Sequence, residues 1–318
     1  MKFGTDGVRG VANAELTPEL ALALGRAAAH VLGPTKALVV GRDTRRSGPM
    51  LEAAFVAGVA SEGVDPLLLG VAPTPAIAWV SADADIPGAV ISASHNPFAD
   101  NGIKLFAAGG RKLPDELEAA IEDELTVDPT VVVRGPTGAG VGTPVPVPDH
   151  VDAWAAAVAA TLGGRRLDGM RVVLDCANGS ASTIGPEVFD GLGAEVHALH
   201  ARPDGTNINA GCGATHTADL RRAVVDLRAD VGLALDGDAD RCIAVDASGR
   251  EIDGDRILAM LAVDRQERRA LPGSTVVVTV MSNLGFRNAM AAHGIHVVDT
   301  AVGDRNVLDA LEAGGWSL

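Results

Sequence analysis

Positive charge is scarce in this chain: 26 Lys and Arg stand against 41 Asp and Glu, a formal net charge of −15 over 318 residues. That balance excludes a nucleic-acid or membrane-surface partner recruited by long-range attraction, and any anionic ligand must be held by local cations and backbone N–H groups. Cysteine is scarce too. Cys176, Cys212 and Cys242 form an odd, widely spaced set without a CxxC pair. This argues against a disulfide framework or a zinc site and for reduced thiols in structural roles. No run approaches the ~18 uninterrupted apolar residues of a membrane span, and the opening MKFGTDGVRG has no signal-like apolar stretch, so a cytoplasmic protein is expected. No GxGxxG occurs, which removes the usual anchor of a dinucleotide site.

What the chain does have is apolar material, 47% of its residues, enough for two or three globular domains. Helical and strand-like segments alternate. TPELALALGRAAAHVLG (17–33) is helical, KALVVGRD a buried strand, SGPMLEAAFVAGVASEG helical, DPLLLGV a strand, TPAIAWVSA helical, and a further strand runs toward SASHNP. The Gly- and Pro-rich RGPTGAGVGTPVPVPD (134–149) reads as an irregular boundary. Beyond it, RVVLDCANG, AEVHALHARP and VGLALDGDADR are strand candidates divided by helices, and a third round follows from about residue 252. The expected layout is α/β domains at 1–146, 147–250 and 251–318, without close sequence repetition.

The most informative segment is LALDGDADR, where an apolar strand runs into Asp236, Asp238 and Asp240. Three converging carboxylates repel one another unless a cation sits among them, and all-oxygen ligands favour Mg²⁺ or Ca²⁺. An EF-hand is excluded because its sixth position holds Arg241 instead of Gly and its twelfth holds Ala247 instead of Glu. A haloacid-dehalogenase-type phosphatase expects Thr or Val where Asp240 stands; a solvated acidic turn is the plainer alternative. SASHNP places Ser94 at the carboxyl end of a strand, where open α/β sheets hold ligands, and Ser92 still within the strand. His95 follows Ser94, and Lys104 on the next short strand is a cation suited to a proton or a phosphate. Read alone, Ser-His-Asn-Pro is also an ordinary turn. His197 and His200, like His293 and His296, are spaced three apart near strands, which puts each pair on opposite faces and argues against metal binding.

FGTDGVRG (3–10), SASHNP (92–97), NGIK (101–104), DCANG (175–179), DGDADR (236–241) and VGDR (302–305) come in the order found in the α-D-phosphohexomutases, and the resemblance spans the whole chain. It implies three similar α/β domains with mixed, mainly parallel sheets flanked by helices. The third would be incomplete at its C-terminal end and the family's fourth absent. It implies a phosphoserine at Ser94 and Mg²⁺ held by Asp236, Asp238, Asp240 and the Ser94 phosphate. Arg9, Lys104 and Arg241 would be local cations, with Lys104 or His95 as general acid or base and Arg9 also among the catalytic groups. Thr5, which shares with Arg9 an otherwise unremarkable Gly-rich turn, would join them in binding substrate and phosphate, as would Asn96, Asp304 and Arg305.

The reaction implied converts a hexose 6-phosphate into the 1-phosphate through a sugar bisphosphate, with a glucosamine or glucose 1,6-bisphosphate as activator. Ala239 and the VGDR wording favour a hexosamine phosphate, glucosamine 6-phosphate, whose product feeds UDP-N-acetylglucosamine and cell-wall synthesis. Glucose or mannose phosphates are the competing substrates. Two different functions compete with a mutase: a Mg²⁺-dependent phosphatase with Asp236 as nucleophile, and a truncated phosphosugar-binding module without turnover. Bacterial family members are commonly dimers, which leaves a homodimer open.

Overall fold

The computed structural model describes residues 7–33, 35–125 and 135–318. The chain divides into two compact units, Met1–Arg250 and Glu251–Leu318. The first unit opens with β1 (Val8–Val11), α1 (Pro18–Val31), β2 (Ala37–Arg42), α2 (Gly48–Ser61), β3 (Asp65–Val71), α3 (Thr74–Asp83), β4 (Gly88–Ile91), β5 (Asp100–Ala107), β6 (Arg111–Lys112), α4 (Asp115–Leu125) and β7 (Val145–Pro146). It continues through α5 (Asp149–Ala160), β8 (Arg171–Asp175), α6 (Ile184–Gly191), β9 (Glu195–Leu199), α7 (Ala218–Asp226), β10 (Val231–Leu235) and β11 (Cys242–Asp246). The second unit holds β12 (Glu251–Ile252), α8 (Gly254–Glu267), β13 (Thr275–Thr279), α9 (Leu284–Ala292), β14 (His296–Thr300) and α10 (Asp304–Gly314).

The first sheet runs β1-β5-β4-β2-β3-β7, with β6 on β5. Strands β4, β2, β3 and β7 are parallel, whereas β5 is antiparallel to both β4 and β1. Its central strands are continuous apolar runs because helices cover both faces. Leu24, Leu51, Phe55, Val40, Ile91 and Ile103 form the core on the side of α1 and α2, and Val39, Ile77, Val80, Val90 and Phe106 the core on the side of α3. Helix α1 begins where the Thr17 side chain accepts from the Leu20 N–H, with proline at the first helical position. Helices α1 and α2 cross at backbone contact: a Cβ on Gly25 would meet the Phe55 carbonyl oxygen at 2.2 Å, and one on Gly58 the Leu22 oxygen at 2.1 Å.

In the second half of this unit β11, β10, β8 and β9 lie side by side, β8 parallel to β9 and β10, and β11 antiparallel to β10. In the unit Glu251–Leu318, β13 and β14 pair in parallel and α8 and α9 pack on a core of Ala262, Val276, Val278, Phe286 and Met290. Asn283 caps α9 by accepting from the Phe286 N–H. The α/β alternation with mixed sheets and flanking helices is the class expected from the sequence.

Four local expectations are corrected. Strand β4 ends at Ile91, so Ser92 lies in the loop. Lys104 sits inside the eight-residue strand β5, opposite Val90, rather than on a short strand. Arg9 belongs to β1, paired with Gly102, not to a Gly-rich turn. The 134–149 stretch is not wholly irregular, because β7 adds Val145 opposite Leu67 of β3. Helices α4 and α5 were not read from the sequence. The former does carry an apolar stripe, Leu117, Ile121 and Leu125, that packs with Leu113 on the core among acidic neighbours, whereas the latter is so rich in alanine that its stripe is weak.

Candidate active site

The site forms where the carboxyl ends of β4 and β10 face each other, the position open α/β sheets reserve for ligands. Ser94 is 1% exposed, and its Oγ donates to Asp236 Oδ2 at 2.6 Å. Its backbone takes φ +51°, a left-handed conformation that a serine holds only when its surroundings impose it. Those surroundings are specific. The Ser94 N–H donates to Ser92 Oγ at 2.9 Å, and Ser92 Oγ donates to Asp43 Oδ2 at 2.6 Å. Arg45, wholly buried, pairs with Asp43 at 2.9 Å and donates to the carbonyl oxygens of Ser94 (3.0 Å), Asn96 (2.8 Å), Asp100 (3.1 Å) and Pro97. Asn209 Nδ2 donates to the same Ser94 and Asn96 oxygens, at 2.8 and 3.1 Å.

The aspartate loop is equally constrained. Asp236 and Asp238 are each 1% exposed, whereas Asp240 is exposed. Ala239 takes φ +57°, and Gly237 lets the loop approach the serine: a Cβ there would lie 2.6 Å from the Ser94 carbonyl oxygen. Thr74 Oγ1 donates to Asp238 Oδ2 at 2.8 Å, and Asp236 Oδ1 accepts from the Arg241 N–H at 3.1 Å. One carboxylate oxygen from each aspartate lies within 4.8 Å of the others. Asp238 Oδ1 is buried and makes no hydrogen bond among the described residues. Burial, followed by the charges of Asp238 and Asp240, raises Asp236 well above the usual carboxylate range. Burial and then Asp238 raise Asp240 against the pull of Lys104 and Arg241. An all-oxygen donor set with two buried members and an unpartnered oxygen suits a hard divalent cation, which would remove the mutual repulsion.

Lys104 Nζ lies 3.4 Å from Asp240 Oδ2 and 3.9 Å from Asp238 Oδ2. His95 Nδ1 stands 3.4 Å from Ser94 Oγ and accepts from Arg241 Nη1 at 3.0 Å. Burial, then the cations Arg241 and Arg9, lower the imidazole below its ordinary value, so it is neutral near pH 7. Seven of the residues singled out in the sequence, Ser94, His95, Lys104, Arg241 and the three aspartates, therefore meet in one cluster, with the charge of Arg9 reaching His95. The Asn96 amide turns away and donates to Asp100 Oδ2 at 2.9 Å. Thr5 lies outside the described residues. Asp304 and Arg305 open α10 in the other unit, where the Asp304 side chain accepts from the Arg305 N–H at 3.0 Å.

Sequence reasoning missed Asp43, Arg45, Ser92, Thr74 and Asn209 as partners of the loop. GRDTR was the available signal for the first two, since it closes a buried strand with a charged pair. Asn209 gives none, because its partners lie 115 and 113 residues away.

The chain matches three family models: phosphoglucomutase/phosphomannomutase alpha/beta/alpha domain I over residues 1–130, domain II over 148–249 and domain III over 253–318. It is 52% identical over 322 residues to a phosphoglucosamine mutase of Salinispora arenicola and 57% identical over 328 residues to one of Frankia casuarinae. Each alignment covers 99% of this chain and 71% of the relative. A phosphoglucomutase/phosphomannomutase family structure from Burkholderia thailandensis superposes with a TM-score of 0.82 at 25% identity, covering 98% of this chain and 69% of the other. The serine and aspartate loops that meet here thus stand on a backbone and in a sequence shared with these proteins, and the chain belongs to the phosphoglucomutase/phosphomannomutase family of α-D-phosphohexomutases.

Proposed function

We propose that this chain carries the phosphoryl-transfer centre of a phosphoglucosamine mutase, interconverting glucosamine 6-phosphate and glucosamine 1-phosphate through a phosphoserine at Ser94. The observation that supports this most is the 2.6 Å hydrogen bond from Ser94 Oγ to Asp236 within a cluster of three carboxylates. The names of the relatives above favour an amino sugar, and glucose or mannose phosphates are the competing substrates.

In this reading Asp236, Asp238 and Asp240 hold Mg²⁺ together with an oxygen of the serine phosphate. The ion, when bound, supplies charge neutralisation for the transferring phosphoryl group. The chain's own residues do the rest. Arg45 and Asn209 hold the Ser94 carbonyl, Ser92 holds its N–H, and together they aim Oγ at the aspartates. In the transfer the phosphorus–Oγ bond breaks, a sugar oxygen bonds to phosphorus, and the proton leaving the sugar hydroxyl is balanced by one gained at Oγ. Neutral His95, with the lone pair of Nδ1 3.4 Å from Oγ, is placed to take the Ser94 hydroxyl proton when the serine is phosphorylated again, while Lys104, Arg241 and Arg9 offset phosphate charge. Thr5, Asn96, Asp304 and Arg305 complete the substrate contacts on the family resemblance alone. A sugar bisphosphate activator and a homodimer rest on the same resemblance, and a cytoplasmic location belongs to the same proposal. No helix among the described residues is long and apolar enough to cross a membrane.

The half-reaction tests the centre directly. Glucose 1,6-bisphosphate and Mg²⁺ should add one phosphate to the intact mass of the chain, mapped to Ser94 by peptide fragmentation, and Ser94→Ala should abolish it. A phosphate found on Asp236 instead would establish the phosphatase chemistry. Conversion of glucosamine 6-phosphate, followed by phosphorus NMR against the glucose and mannose esters, decides the sugar.

A further inference from the structure

Away from the serine and aspartate loops, a second cluster of metal-binding side chain types forms at the carboxyl ends of β8 and β9: Asp175, His200 and Cys212 each offer one ligand atom, all within 4.8 Å of one another. We propose that these three residues bind one zinc-type divalent ion that pins the loop carrying Asn209.

The donor set decides the class of metal. One carboxylate, one imidazole and one thiol suit a borderline ion such as Zn²⁺, whereas Mg²⁺ takes oxygen ligands. The geometry agrees. Asp175 Oδ2 and His200 Nδ1 lie 3.1 Å apart, close to the ~3.4 Å edge expected of two ligands about 2.1 Å from a tetrahedral ion. Short as that separation is, His200 Nδ1 is buried and makes no aligned hydrogen bond among the described residues, which leaves it without a polar partner there. Asp219 Oδ2 stands 3.6 Å from the opposite ring nitrogen, Nε2. At that distance no direct hydrogen bond forms, but the nearby negative charge favours the proton on Nε2 and leaves Nδ1 a lone pair for a ligand. Cys212 is fully buried, which argues against its serving as a nucleophile toward a substrate.

Access and purpose are both built in. A cavity of about 260 Å³ lined by Leu199, His200, Asp219, Arg222, Ala223 and Asp226 opens the outer side of the His200 ring to solvent. Cys212 lies three residues beyond Asn209, whose amide holds the Ser94 and Asn96 carbonyls. The Gly213 N–H, next to Cys212, already donates to Asp175 Oδ2 at 3.0 Å. An ion bound here ties that loop to the sheet, with the thiol proton released to solvent on binding.

The test uses the reduced, chelator-treated 318-residue chain and the metals alone. Titration with Co²⁺ should give one equivalent of binding with a thiolate-to-cobalt charge-transfer band that Zn²⁺ removes. Cys212→Ser and His200→Gln should each lose that band, Asp219→Asn should weaken zinc binding about 10- to 100-fold, and Cys242→Ser should leave it unchanged. His200 is partly exposed, so its variant decides the matter if Cys212→Ser fails to fold. No stoichiometric zinc binding by the unsubstituted chain, an undiminished band in His200→Gln, or a band lost in Cys242→Ser would each overturn the assignment.

Discussion

Arg45 and Asp43, two residues apart and both without solvent exposure, form an ion pair at 2.9 Å from which the whole Ser94 loop is suspended. Asp43 reaches the loop through Ser92, and Arg45 through four carbonyl oxygens. Among the described residues, each charge is compensated by the other and by the loop.

Removing one partner should therefore cost far more than removing both. Arg45→Met leaves a buried carboxylate uncompensated and is expected to destabilise the fold by ~3–5 kcal/mol, and Asp43→Asn combined with Arg45→Met should recover part of that loss. Arg45→Lys should not rescue, because an ammonium cannot span carbonyls arranged for a planar fork. Urea denaturation of the variants checks this. A single Arg45→Met as stable as the parent chain would show that the pair does not hold the loop.

Gly237→Ala should push the aspartate loop off the serine. The added methyl would sit 2.9 Å from Asn209 Nδ2 and 2.6 Å from the Ser94 carbonyl oxygen, and the second contact is one that only backbone movement can relieve. The expected cost is ~1–3 kcal/mol of stability, with loss of Ser94 phosphorylation by glucose 1,6-bisphosphate. Normal phosphorylation kinetics in the variant would mean that the 2.6 Å Ser94–Asp236 contact is dispensable.

Magnesium should bind more tightly once Ser94 is phosphorylated. The phosphate adds about −1.5 to −2 charge and a further ligand oxygen to the three aspartates. Calorimetric titration of the phosphorylated and unphosphorylated chains reads the difference directly. Equal affinities would place the serine and the aspartates at separate sites.

The pH dependence follows from the sign of the Asp236 shift. Its carboxyl is raised in the folded chain, first by burial and then by Asp238 and Asp240, so the folded state holds the proton more tightly than the unfolded state. Stability conferred by that proton is fully present below the unfolded value of about 4 and is lost as pH rises through the raised folded value. In magnesium-free buffer, stability should thus decline from mildly acid toward neutral pH, and Asp236→Asn should flatten the decline. A profile of unchanged slope in that variant would remove Asp236 as its source.

How much of the molecule is legible in its sequence depends on the range of the interactions. Apolar runs with period two or 3.6 report only on their own segment, and so β2, β3, β10, α1 and α2 can be read directly from the sequence. The chemistry of Ser94 and of Asp236, Asp238 and Asp240 is legible for the same reason: each motif is a short strand end with unusual polar content. Helix α5 escapes such a reading because its alanine-rich turns carry little periodic contrast, whereas α4 is legible in principle from Leu117, Ile121 and Leu125, spaced four apart between acidic residues.

The amino-acid sequence by itself determined the α/β alternation, the two loops and the donor types each presents, since these follow from residue chemistry within a few positions. Only the tertiary structure decided that Ser94 meets Asp236 across 142 residues, that Arg45 and Asn209 grip the same carbonyl, and that Asp175, His200 and Cys212 converge. Such meetings depend on which strand ends the sheet order makes neighbours. Strand order is set by packing of the whole apolar core, a sum over distant residues that no local stretch of sequence contains.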